Sequence, residues 1–197
     1  LSTNTLIHRI VRPAVRTIAP MGVTPNQITT LRLVTGIAAA CAFAVGGVLW
    51  PIIGGAIFVF SMLLDRADGE LARQTGQSSP FGYWYDIISD CASNVVAMFG
   101  IGIGLYDVLG LLGPTLGAVA GAGIGTLFWQ LFGLRLAQPR GYELWPGIVL
   151  DPDDALILVP IFVWTGAAAP MIVAAAVITP LAALWLGLRG VPPERPS

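Results

Sequence analysis

A chain of 197 residues that is 55% hydrophobic and only 11% charged, with a mean hydropathy of +0.78, is too apolar for a soluble domain of ordinary composition. Its net charge of −1, with all ten basic residues being Arg and no dense basic run, gives no sign of a nucleic-acid surface. The length accommodates about six spans of roughly 20 residues each. It leaves no room for a separate soluble domain. Residues 1–197 therefore read as one all-α, polytopic membrane domain, with a juxtamembrane segment 1–22 and a helical bundle 23–189. The first residue is Leu1 rather than Met, which suggests a trimmed start, and no secretory signal peptide is visible. Cys41 and Cys91 stand alone in apolar stretches and read as small buried hydrophobes rather than as ligands.

Residues 3–21 set apolar side chains among Arg9, Arg12 and Arg16, the pattern of an amphipathic helix on an anionic membrane surface, interrupted near Pro13. His8 sits in this segment as an interfacial residue. Thr24-Pro25-Asn26 is a helix start signal. It opens a first span over 27–49, followed by a second over 51–74. Gln74 to Ser79 form a polar turn, and Pro80 opens a third span over 80–106. The fourth runs over 112–137, the fifth over 153–168 and the sixth over 170–188. Arg9, Arg12, Arg16, Arg73, Arg135, Arg140, Arg189 and Arg195 fall at alternate ends of these spans. The other connections, near 47–51, 106–113 and 167–170, carry no basic residue. The positive-inside rule then places both termini and the Gln74–Ser79 turn in the cytosol. Trp50, Trp145, Trp164 and Trp185 near span ends fit an aromatic belt. Gly117, Gly121 and Gly125 form a small-residue stripe on the fourth span, and Gly100 and Gly104 a shorter one on the third. Such stripes serve close packing in the bundle or a homodimer interface.

Carboxylates between long apolar stretches are costly and need a partner or a task. At about 100° per residue, Asp65, Asp68, Gly69 and Ala72 share one helical stripe. Gly82, Asp86 and Asp90 share a stripe on the next helix. The two stripes can face each other with four carboxylates converging within about 12 Å of the turn. Only Arg73 and Arg66 are near in sequence to offset them. Hard divalent cations with oxygen ligands meet that demand.

The spacing reads D-x-x-D-G-x-x-A-R, eight residues, then G-x-x-x-D-x-x-x-D, complete from Asp65 to Asp90 at all eight fixed positions. It resembles the signature of the CDP-alcohol phosphotransferase (CDP-alcohol phosphatidyltransferase) family, and VTPNQITTLR resembles the family's entry to its first membrane helix. The resemblance implies transfer of a substituted phosphate from a CDP-linked donor to an alcohol, with release of CMP, in phospholipid biosynthesis. It implies two Mg²⁺ or Mn²⁺ ions held by Asp65, Asp68 and Asp86. Asp90 would be the general base and would touch the second metal. Asp65, Asp68, Gly69, Ala72, Arg73, Gly82 and Asn26 would contact CDP, with the glycines and Ala72 giving room and Arg73 pairing with the diphosphate or anchoring the carboxylate network. Asn26 fits an N-cap role equally well. Arg32 either snorkels to the headgroups or reaches the cavity.

The acceptor is less determined. Arg135 and Arg140 are candidates for binding an acceptor phosphate, or serve only as topology signals. Asp151, Asp153 and Asp154 could attract an ammonium headgroup or cap the next helix. TGQSSPFG resembles a stretch of the eukaryotic choline and ethanolamine phosphotransferases, but Ile87 and Ile88 replace their His-Gly pair. With DGELAR it also resembles domains that make inositol-phosphate diesters. CDP-diacylglycerol is the expected donor. A soluble CDP-alcohol with a lipid or polyol acceptor is the alternative within the family. An ion-coupled transporter is the alternative of another class. The expected setting is a bacterial inner membrane with a cytosol-facing site, a homodimer, lipid as a partner and no nucleic acid.

Overall fold

The computed structural model describes residues 6–136, 142–145, 148–150 and 156–189. Its helices are α1 (Leu6–Ile18), α2 (Pro25–Val45), α3 (Leu49–Thr75), α4 (Pro80–Gly104), α5 (Tyr106–Leu109), α6 (Leu112–Phe128), α7 (Leu158–Trp164) and α8 (Ala168–Arg189). A π-helical turn, Trp129–Gly133, prolongs α6. Two short strands, β1 (Tyr142–Trp145) and β2 (Ile148–Leu150), pair antiparallel where the sequence suggested no strand.

Among the described residues, five helices are long and apolar enough to cross a membrane: α2, α3, α4, α6 with its π turn, and α8. The sequence predicted six. The fifth predicted span, 153–168, differs: its described part is a turn and the seven-residue α7. Gly166 adopts a left-handed φ of 75° just beyond it, which ends the helix there; residues 153–155, where the predicted span begins, lie outside the described residues. At about 1.5 Å per residue, seven residues reach only about 10 Å. α7 runs up α3 nonetheless. Leu156, just before it, lines a small cavity together with Asp65, and the Trp164 indole N–H donates to the Ile52 carbonyl at 3.1 Å.

Two helix starts follow from local chemistry. Thr24 caps α2 in a reciprocal box with Gln27, its hydroxyl accepting from the Gln27 N–H at 3.4 Å and its own N–H donating to Oε1 at 2.9 Å. Ser79 caps α4 by accepting from the Gly82 N–H at 3.0 Å, with Pro80 at the first helical position. α1 runs unbroken through Pro13, contrary to the expected interruption. Docking holds it: Val11 and Val15 are buried with Ile28, Ala67 and Leu71 in a small core at one end of the molecule.

α2 packs between α3 and α4, α4 between α2 and α6, and α6 against α8, while α7 bridges α3 and α8. The main core gathers Phe43, Phe58, Met98, Ile101, Val163 and Ile172 around buried alanines. The glycine stripes are used inside this bundle. Gly100 and Gly104 lie on the α2 backbone at Ala40 and Phe43, and Gly117 and Gly121 lie on α4 at Met98 and Val95. The stripe on α6 therefore offers no support for a dimer, because α4 already covers it. Cys41 is exposed on the outside of α2, not buried as expected, and Cys91 is half-buried. Trp50, Trp164 and Trp185 are all exposed near helix ends, as a belt requires.

A Cβ added at Gly117 would lie 2.6 Å from the Met98 carbonyl oxygen, whereas one at Gly125 would lie 3.8 Å from its nearest neighbour. Gly117→Val should cost about 1–3 kcal/mol through overpacking, and Gly125→Ala should be neutral. Thermal unfolding of the two variants in detergent checks this contrast.

Candidate metal and nucleotide site

The signature carboxylates lie between the two apolar cores. On α3 they follow Phe58 and are interleaved with Ala67 and Leu71; on α4 they precede Ala97 and Met98. Asp65, Asp68 and Asp86 each bring an oxygen to within 4.8 Å of the others. Asp68 is buried, and its Oδ2 accepts from the Thr29 hydroxyl at 2.7 Å. A trio of carboxylate oxygens so placed suits a hard divalent cation, which needs oxygen ligands and tolerates little else. The residues fit the metal that the sequence called for.

Arg32 occupies the centre of the site. It is only 4% exposed, so the snorkelling reading fails. Its Nη1 lies 3.4 Å from Asp65 Oδ1 and 3.3 Å from Asp86 Oδ1, and its Nη2 pairs with Asp90 Oδ1. Arg66 Nε is 3.8 Å from Asp65 Oδ2. Removing one member of a buried ion cluster like this typically costs about 3–5 kcal/mol, because the others lose their partner. The alternative, that Arg32 reaches inward, is the one that holds, although Arg32 lies more than 30 positions away from Asp65. The signal was present: an Arg three residues after Thr29 inside an apolar span has to find an anion within the bundle.

A cavity of ≈ 260 Å³ adjoins the trio. Of the residues expected to contact CDP, Asn26, Asp68, Gly69, Ala72, Arg73 and Gly82 line it and Asp65 does not; Asp86, Thr29, Ser79 and Tyr83 line it as well. Asn26 is not the N-cap of α2; Thr24 is, which leaves the Asn26 amide free of that task. Arg73 does not anchor the signature carboxylates. Its Nη2 donates to Glu70 Oε2 at 3.0 Å, and Glu70 also holds Gln74 at 3.0 Å and Arg12 Nε at 3.3 Å. Arg73 is nonetheless half-exposed at the cavity wall.

Arg135 is exposed, with a left-handed φ of 54° beyond the π turn, and it does not line this cavity. Arg140 and Asp151, Asp153 and Asp154 lie outside the described residues.

The CDP-alcohol phosphatidyltransferase profile matches residues 22–136, more than half of the chain. The chain belongs to the CDP-alcohol phosphatidyltransferase family. With that, the transporter alternative loses its ground. Among similar proteins is the archaetidylinositol phosphate synthase of Pyrococcus horikoshii, 36% identical over 89 residues, covering 45% of this chain and 46% of that protein. The phosphatidylinositol phosphate synthase of Mycobacterium marinum is 28% identical over 127 residues, covering 64% of this chain and 43% of that protein. These matches span less than half the length of each of the two relatives. A crystal structure of the Mycobacterium tuberculosis phosphatidylinositol phosphate synthase with CDP-DAG bound superposes with a TM-score of 0.69 at 19% identity, covering 96% of this chain and 99% of that one. The same enzyme in complex with manganese and citrate gives 0.67 at 18% identity, covering 95% of this chain and 93% of that one. The family's shared architecture is thus the fold of this chain.

Asp68→Asn removes a charge from the trio and should weaken Mn²⁺ binding by at least about tenfold. Arg135→Gln should leave it unchanged. Titration of free Mn²⁺ by electron paramagnetic resonance reads both variants directly.

Proposed function

We propose that this protein transfers a substituted phosphate from CDP-diacylglycerol to the hydroxyl of a phosphorylated polyol of the inositol phosphate class, releasing CMP. The observation that carries the reading is the carboxylate trio opening onto the cavity that Asn26, Gly69, Ala72, Arg73 and Gly82 line. The inositol phosphate acceptor is supported by the names of the two synthases above. It is favoured over an amino-alcohol on that ground, and the donor over a soluble CDP-alcohol by the structural neighbour with CDP-DAG bound.

Asp65, Asp68 and Asp86 would hold the cations, and the Thr29 hydroxyl holds Asp68 in place through Oδ2. Two divalent ions fit the charge. Four aspartates against Arg32 and Arg66 leave two negative charges; a diphosphate diester brings about two more, and two divalent ions balance the sum. When bound, Mg²⁺ or Mn²⁺ stabilises the negative charge that grows on the diphosphate during displacement. The cytidine end would lie against Gly69, Ala72 and Gly82, where only small side chains separate ligand from backbone. Arg73 would turn from Glu70 to the diphosphate. Asp90 would take the proton of the acceptor hydroxyl as its oxygen bonds to phosphorus and the bond to CMP breaks. Arg135 and Arg140 would bind the acceptor phosphate from the connection after α6. The cavity would face the cytosol of a bacterial inner membrane, on the strength of the Arg distribution. A homodimer would use a lipid-exposed helix face rather than the glycine stripes.

The deciding experiment is CMP release from CDP-diacylglycerol in detergent, across inositol phosphate, glycerol phosphate, inositol, serine and choline. Release is expected with a phosphorylated polyol, absent in EDTA and recovered with Mn²⁺ or Mg²⁺. Full turnover without metal would refute the metal role, and acceptance of serine or choline alone would move the acceptor to an amino-alcohol.

Two further outcomes check the pocket and its side. Gly82→Leu brings a side chain to where a Cβ already lies 3.1 Å from Asn26 Oδ1. It should raise the donor KM by at least about tenfold, with the melting temperature little changed. A cysteine introduced at Gln77 should resist impermeant thiol reagents in intact cells and react once the cells are opened.

A further inference from the structure

We propose that Arg12, on the N-terminal helix, is a positioning residue for the donor site: it keeps Glu70 paired so that Arg73 can leave that carboxylate for the diphosphate. The inference rests on the transferase reading above and gives α1 a part in donor binding.

Glu70 is the carboxylate of α3 that the metal site does not use, and it is buried, with 7% of its surface exposed. It holds Arg73 Nη2 at 3.0 Å, Gln74 Nε2 at 3.0 Å and Arg12 Nε at 3.3 Å. Arg73 and Gln74 come from the next turn of the same helix. Arg12 comes from α1, which Val11 and Val15 seat against Ala67 and Leu71 of α3. The two arginines use different oxygens, Oε2 for Arg73 and Oε1 for Arg12, so one does not displace the other.

Arg73 is the partner with freedom to move. Its side chain is 42% exposed and lines the nucleotide cavity. Its Nη1 lies 3.6 Å from where a Cβ on Gly69 would stand, and Gly69 lines the same cavity. The guanidinium thus reaches from Glu70 to the cavity wall. Glu70 cannot follow it outward. A buried carboxylate stripped of its cation is costly, so a Glu70 paired with Arg73 alone would hold it back from the diphosphate. With Arg12 already on Oε1, the departure of Arg73 does not strand the charge. A ligand that needs a group engaged elsewhere binds more weakly in proportion to how seldom that group is released. Arg12 raises that fraction from outside the cavity.

The first arm of the test needs no turnover and reads the binding of CDP with Mn²⁺ by calorimetry in detergent. Arg12→Gln should weaken CDP binding at least about tenfold, and Arg12→Lys should keep it within about threefold of wild type. Mn²⁺ alone should bind both variants within about threefold of wild type, because the aspartate trio is untouched. Glu70→Gln removes the competing charge and should bind CDP at least as tightly as wild type. Added to Arg12→Gln, it should restore CDP binding to within about threefold of wild type. A contact that merely docks α1 predicts the reverse, a double variant no better than Arg12→Gln. CDP binding within about threefold of wild type in Arg12→Gln, or no recovery in the double variant, would overturn the proposal. If Arg12→Gln does not fold, Glu70→Gln decides, and a loss of about tenfold or more there would overturn it.

The second arm is kinetic, using the acceptor that supports CMP release. Arg12→Gln should raise the donor KM at least about tenfold with kcat within about threefold. A fall in kcat at unchanged donor KM would count against the exchange. If the wild-type protein releases no CMP with any acceptor, the transferase reading fails, and the CDP arm alone decides the role of Arg12.

Discussion

A guanidinium buried among aspartates, in the middle of an apolar bundle, is the constraint on which this structure depends. Arg32 and Asp65, Asp86 and Asp90 each would be expensive alone at that depth. Together they are tolerable, but only while α2, α3 and α4 hold their relative heights. The apolar cores on either side supply that alignment, the larger beyond Phe58 and Ala97 and the smaller around Leu71 and Val15. Stability and chemistry thus draw on the same contacts. The polar layer fixes the register of three helices, and the cores keep water from dissolving the layer.

Close approach of backbones makes such a layer possible. The bundle carries glycine where α4 meets α2 and where α6 meets α4, and backbone atoms sit where side chains would otherwise stand. Short distances between axes bring short side chains into range of one another. Aspartates have little reach, so a site built from them needs helices that touch. Pro180 on α8 is accommodated in the same manner, with Gly123 facing it and the Thr179 hydroxyl donating to Ala120 and Ala175 carbonyls at 3.0 and 2.9 Å.

Much of this was legible in the sequence because helical periodicity is a local property. The stripes of Asp65, Asp68, Gly69 and Ala72, and of Gly82, Asp86 and Asp90, follow from residue spacing alone, and their convergence follows from a short turn. Asn26, Arg73 and Gly82, which the family resemblance pointed to as nucleotide contacts, all line the cavity. What escaped was tertiary. The partner of Asp90 comes from another helix, and nothing in the spacing ranks Arg32 above Arg73. At the fifth span a single left-handed glycine, Gly166, ends α7, a local feature over which hydropathy averages. Composition could not foresee the hairpin at Tyr142–Leu150, nor that α1 would run through Pro13, since packing against α3 outweighs the local penalty there.

Glu70 has a consequence of its own. It faces away from the aspartates, gripping Arg12 on the surface helix and Arg73 at the cavity wall. One carboxylate therefore ties the N-terminal helix to a residue at the rim of the pocket, so that any shift of α1 along α3 reaches Arg73 through Glu70 before it reaches the aspartates.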